Sequence, residues 1–255
     1  MKNNLLTLLG IMMMFSALNI NAQEDTQSPA MIATAIAHQV IGPVKDFPVL
    51  SPEELAAMDE KEAKMVRNKD LQYRNYPYWE ETRLSRPDAG LQTEMGSAES
   101  LMGIIQNWEA QYSYSIPPDC NGTAGPDHYM QTINVKYTIY DKTGTLVAGP
   151  TNLNTFFSGL PGGTTNEGDP VILFDEQAQR WMMAEFSGIS GPDYMLIAVS
   201  QTDDPTGLWD AWSFVMNGFP DYMKLGVWRD GYYMGTNTYS GNDRYVFERE
   251  VMIAG

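Results

Sequence analysis

The chain has one cysteine, Cys120, and two histidines, His38 and His128. A single thiol excludes an internal disulfide in any redox compartment, and so few ligands do not furnish an ordinary structural zinc set. Cations are scarce too: 16 Lys and Arg stand against 32 Asp and Glu, a net charge of −16. That balance argues against a nucleic-acid partner, whose phosphate backbone is held by clustered cations, and disfavours an anionic membrane surface. Beyond the N-terminal run, no apolar stretch reaches the ~20 residues that span a bilayer. There is no Asp-x-Asp-x-Asp-Gly calcium loop, and Gly162-Gly163-Thr164-Thr165 lacks the Lys and following helix of a phosphate loop, reading instead as a flexible connection.

What is present begins with an export signal. Lys2 precedes the apolar run from Leu5 to Phe15, and the run closes on Asn-Ile-Asn-Ala22 before Gln23-Glu24-Asp25. This predicts a signal peptide over 1–22, cut after Ala22. Ser16, Asn19 and Asn21 interrupt it too early for a transmembrane anchor, and no Cys follows the site to carry a lipid. The expectation is a secreted or cell-surface protein whose mature chain has no transmembrane span. With 255 residues, 43% of them hydrophobic, it can build a sizeable core.

Residues 23–116 read as an acidic leader or linker, partly helical or disordered. Ser51-Pro52-Glu53-Glu54 is a capping box with Pro at the first helical position, and Leu55, Met58, Ala63 and Met65 follow among charges. That predicts a short helix near 52–69. The cluster Tyr73, Tyr76, Tyr78 and Trp79 reads as a docking surface for the downstream domain.

From 117 to 255 the pattern changes to short β-type runs between Gly, Pro, Asp and Asn. Residues 131–140 read as one strand followed by the turn Asp141-Lys142-Thr143-Gly144; further runs lie at 171–174, 181–186, 195–199 and 212–216. Without intervening helix patterns, such runs predict an antiparallel all-β architecture. The pairs Tyr129-Met130, Trp181-Met182 and Tyr233-Met234 recur at a spacing of 52 residues. A unit of this size matches a propeller blade, the alternative being a β-sandwich in which the aromatic-Met pairs coincide by chance. The prediction is therefore a β-propeller-like fold with about three visible four-stranded blades, at 117–165, 166–217 and 218–255. Closure takes about four to eight blades, so the last unit reads as truncated and the remainder of a longer polypeptide is expected.

An ordered series of motifs over 117–255 resembles a group of secreted Bacteroidota-type proteins of uncharacterised function. The series comprises Pro117-Pro118-Asp119 with Gly125-Pro126-Asp127-His128-Tyr129-Met130-Gln131, Ile139-Tyr140-Asp141-Lys142-Thr143-Gly144, and Gly168-Asp169-Pro170-Val171 with Arg180-Trp181. It continues with Ala198-Val199-Ser200, Asp204-Pro205-Thr206-Gly207-Leu208-Trp209, Phe219-Pro220-Asp221-Tyr222, Lys224-Leu225-Gly226-Val227-Trp228 and Gly231-Tyr232-Tyr233-Met234. The resemblance implies a secreted β-propeller chain, in longer members often ending in a type IX secretion sorting domain. This chain departs from it at Cys120, where the group has Thr, and the resemblance supplies no catalytic residues.

The chemistry-bearing candidates follow from the repeat. Asp119, Asp169 and Asp221 stand at the mouths of successive first strands, where repeated geometry aims them at one end of the axis. With Glu185 they are the candidate carboxylates for glycan hydrolysis or lysis, which retaining and inverting enzymes perform with paired carboxyls. The same Asp residues, beside Pro118, Pro170 and Pro220, also read as turn caps. Trp228, Tyr232, Tyr233 and Tyr239 are candidate ligand-binding aromatics, open also to a reading as blade packing. No cofactor is expected; Ca2+ at Asp203-Asp204, or at Asp127 with Asn134, is an open alternative. A Cys120–His128 catalytic pair lacks a third, orienting group. The leading functional reading is an exported, non-enzymatic module that binds a glycan or a surface protein. A glycan-active hydrolase or lyase, and a structural scaffold within a larger surface protein, are the alternatives.

Overall fold

The computed structural model describes residues 31–58, 106–113, 115, 117–188, 191–237 and 243–255. The described chain is all-β in character, built from three sheets. The first sheet is a four-stranded antiparallel meander of β3 (Asn121–Ala124), β4 (His128–Ile133), β5 (Lys136–Asp141) and β6 (Leu146–Asn152). The second runs β7 (Val171–Asp175), β8 (Arg180–Ser187), β9 (Tyr194–Ser200) and β10 (Trp209–Val215), with β2 (Ala35–Ile41) added antiparallel to β10 as a fifth strand. The third holds β11 (Asp221–Val227), β12 (Tyr232–Asn237) and β13 (Arg244–Phe247), and β1 (Met31–Ile32) pairs in parallel with β13. The first strands β3, β7 and β11 lie side by side.

The second sheet is the centre of the packing. Period-2 alternation sends Ile172, Trp181, Met183, Leu196, Ala198, Trp209 and Ala211 against the first sheet. The alternate residues Val171, Met182, Ala184, Met195, Ile197, Val199, Trp212 and Phe214 go against the third. A sheet buried on both faces needs near-continuous apolar strands, which is why 181–186 and 195–199 carry so few polar residues.

Two sequence expectations change here. Residues 131–140 form two strands, because Asn134 adopts a left-handed φ of 46° and Ile133 pairs with Lys136 across a two-residue turn. Asn accepts that conformation more readily than most residues, and the apolar run hides the turn. The 52-residue interval marks the second strand of every sheet, but the faces slip in the third. Trp181 is fully buried toward the first sheet, whereas Tyr233 points away from the second sheet and is 40% exposed. A one-residue slip in register moves a side chain to the opposite face, so Tyr232 and Met234 are the residues that pack back on the second sheet.

Part of the stretch read as leader belongs to the sheets. β1 and β2 lie within 23–116, and Trp108 packs on Tyr129 and Tyr140 of the first sheet. The capping box forms as a reciprocal pair: Ser51 N–H donates to Glu54 Oε2 at 2.7 Å and Glu54 N–H to Ser51 Oγ at 3.2 Å. Residues 52–58 (α1) are helical; 59–69 and the aromatic cluster at 73–79 lie outside the described residues. Among the described residues no helix is long and apolar enough to cross a membrane.

A buried ion pair ties the second sheet to the third. Asp175, fully buried at the β7–β8 turn, accepts from Arg249 Nε at 2.5 Å and Nη2 at 3.0 Å, and from the Tyr232 hydroxyl at 3.1 Å. Arg249 opens α2 (Arg249–Ala254). Burial alone pushes the Asp175 carboxyl up, but Arg249 and the Ala178 N–H more than offset it and hold the group below the ordinary carboxylate range. Removing one partner of a buried pair strands the other charge, at about 3–5 kcal/mol. Arg249→Ala is expected to lose stability of that size in urea unfolding, and a loss under about 1 kcal/mol would show the pair to be solvated.

Candidate acidic pocket at the strand mouths

Each of the three sheets has a residue of left-handed φ near the start of its first strand, before the strand in the first two and within it in the third. Asp119, two residues before β3, has φ of 46°; Asp169, two residues before β7, has 49°; Tyr222, directly after Asp221 in β11, has 52°. Non-glycine residues rarely adopt left-handed backbone. Its recurrence at three mouths turns these residues into a common space. They line a pocket of about 380 Å³ together with Cys120, Asn121, Pro170, Val171 and Lys224. Asn121 Oδ1 fastens the pocket by accepting the Ile172 N–H at 2.9 Å, joining the first and second sheets.

Of the Asp residues singled out from the repeat, Asp119 and Asp169 thus share the pocket, while Asp221 does not line it and acts on Asp169 through its charge. The Asp169 carboxyl is pushed up to about 7, first by burial, then by the negative charge of Asp119, a hydrogen bond to the Asp119 carboxyl and the charge of Asp221. Lys224 opposes it from a position where its Nζ sits 3.4 Å from the Tyr222 ring centroid. Two carboxyls that hydrogen-bond need a proton between them, as in like-charge pairs generally.

Other candidates are placed elsewhere. Glu185 does not line this pocket; it is fully buried in β8 on the face toward the first sheet. Tyr232 is corrected from ligand platform to core: it is fully buried and its hydroxyl is committed to Asp175. Trp228, 61% exposed, and Tyr233 stand on the outer side of the third sheet. Tyr239 lies outside the described residues. Asp204 caps its own turn, accepting from Thr206 N–H at 2.9 Å and Oγ at 2.7 Å. Asp127 and Asn134 flank opposite ends of β4 and do not meet. Among the described residues, no group of three His, Cys, Asp or Glu is arranged to hold a metal ion. The Cys120 thiol is free and exposed.

Sequence reasoning missed the His38–Asp210 contact, at 2.8 Å across β2 and β10, with His38 stacked on Trp212 and Asp210 also accepting from Gln201. No pattern announces it, because the partners are 172 residues apart.

No family model, curated protein or solved structure matches the chain.

The shared proton gives a pH prediction. The unfolded chain ionises Asp169 near 3.8, whereas the folded chain keeps its proton to about 7. The folded state therefore binds more protons between those values, and its stability declines as pH rises from about 4 to about 7. Carboxyl-detected NMR is expected to show Asp169 titrating near 7. Asp119→Asn should move that midpoint down toward the ordinary range, and an unmoved midpoint would remove Asp119 as a cause.

Proposed function

We propose that the chain is an exported, non-enzymatic β-propeller-type module that binds glycan. The propeller reading is supported by three successive meanders whose first strands adjoin. The export reading rests on the N-terminal run described above.

The observation that carries the binding assignment is the outer face of the third sheet. Lys224 and Gly226 alternate onto it from β11, Tyr233, paired with Gly226, joins them from β12, and the exposed Trp228 follows directly after β11 in the turn that leads to β12. Ideal Cβ atoms at Gly226 and Gly235 would meet nothing within 4 Å. The face is therefore flat between its rings, with a shallow hollow of about 410 Å³. Tyr222 is 59% exposed on the same side. Flat aromatic surface with polar neighbours suits the apolar faces of sugar rings, leaving their hydroxyls to Lys224, Arg244 and Asp230.

The acidic pocket carries the alternative, a glycan-active hydrolase or lyase: it sets Asp119 beside Asp169, whose carboxyl is raised toward neutral pH, and paired carboxyls are what such enzymes use.

Affinity electrophoresis through neutral and uronate-containing polysaccharides tests the reading. Trp228→Ala and Tyr233→Ala are each expected to weaken retardation about tenfold, equivalent to ~1.4 kcal/mol. Asp169→Asn and Asp221→Asn should leave it intact, with no reducing ends released. Reducing ends that appear with the native chain and vanish with either Asp variant would establish the hydrolase instead.

A further inference from the structure

The carboxyl of Glu185 is anomalous in a way the pocket and the aromatic face do not explain. It is fully buried, and neither Oε1 nor Oε2 has a hydrogen-bond partner. Buried polar groups in native structures are almost always paired, and a lone buried carboxylate is among the costliest groups a core can hold.

Its surroundings are oxygen-rich on one side. Glu185 and Ser187 share a face of β8 by strand alternation. The Ser187 hydroxyl lies 3.0 Å from Thr165 Oγ in the connection between β6 and β7. Two residues on, Glu167 Oε2 accepts the Gly188 N–H at 2.6 Å. Burial pushes the Glu185 carboxyl well above the usual range, and the charge of Glu167 pushes it further. Glu167 is the one charged group recorded as acting on it among the described residues, and cross-strand Leu196 on β9 supplies only apolar contact. A proton on Glu185 removes the charge but still leaves the carboxyl unpaired. A cation held between the two carboxyls gives Glu185 the partner it lacks and offsets the charge of Glu167.

We propose that Glu185 and Glu167 form a binding site for a hard cation of the Ca2+ type, in the seam between the first and second sheets, with the Thr165 and Ser187 hydroxyls as further oxygen ligands. The donor set is oxygen only, which suits Ca2+ or Mg2+ and not the softer metals. Mg2+ retains several of its waters in near-ideal octahedral geometry; a fully buried carboxylate favours the larger, less exacting Ca2+. The cation pins the connection between the sheets to the end of β8.

Thermal unfolding of the purified chain in EGTA and in CaCl2, from pH 5.5 to 8.5, tests this. Ca2+ is expected to raise the midpoint by several degrees, more at high pH than at low, because protons compete for Glu185. Glu185→Gln, close in shape, should abolish the response; Glu167→Gln should weaken it, and Asp203→Asn should leave it unchanged. Equilibrium dialysis of the native chain, which depends on no variant folding, should find one tightly held Ca2+. No midpoint shift at any pH, a shift that survives Glu185→Gln, or no tightly held Ca2+ would overturn the site and leave Glu185 a buried neutral acid.

Discussion

Burial of the second sheet on both faces is the constraint from which the rest of the structure follows. Its strands are apolar on successive residues, so it has no face to offer water and must be covered twice. Sheets on either side meet that requirement, with Trp181, Trp209 and Phe156 in one seam and Trp212, Phe214 and Phe247 in the other. Those seams bring β3, β7 and β11 side by side, and their mouths then converge on one pocket. The acidic pocket is thus a by-product of hydrophobic stacking, not of any attraction among its carboxyls, which repel.

Charge enters this core in three different states. Asp175 is ionised and fully paired, with Arg249 and Tyr232 filling its lone pairs. Asp169 is partly buried, and that burial, followed by the acids beside it, holds its carboxyl well above the ordinary range. Glu185 is buried with no hydrogen-bond partner at all. A chain with a net charge of −16 has few cations to distribute, and Arg249, buried between the second and third sheets, goes to Asp175.

Much of this was legible in the residues. Runs such as 195–199 announce buried strands because no other environment tolerates them, and the spacing of Asp169 and Asp221 marks equivalent strand mouths. The sequence was less informative where one residue of register decides the outcome. Tyr232 and Tyr233 are adjacent and chemically alike, yet one is sealed against Asp175 and the other faces outward. The strand β2 escaped notice because its pattern is inverted: Ile36 and Val40 point outward, 53% and 57% exposed, while Ala37 and Gln39 turn toward the sheet. That Asp119 and Asp169 share one pocket, or that Glu185 lacks partners, depends on side chains far apart in sequence, and no local pattern encodes it.

The placement of β1 and β2 bears on how the chain acquires its structure in time. These strands leave the ribosome well before their partners, β13 and β10, the latter joined through His38 and Asp210 across 172 residues. At ordinary synthesis rates of about 5–20 residues per second, β2 waits on the order of 10–30 s for an edge to join. Until then the outer edges of the second and third sheets do not exist, and once made they stay open until the early segment returns to cover them. Completion of two sheets is therefore a late, long-range event, better suited to folding after the whole chain has been delivered than to domain-by-domain folding as it emerges.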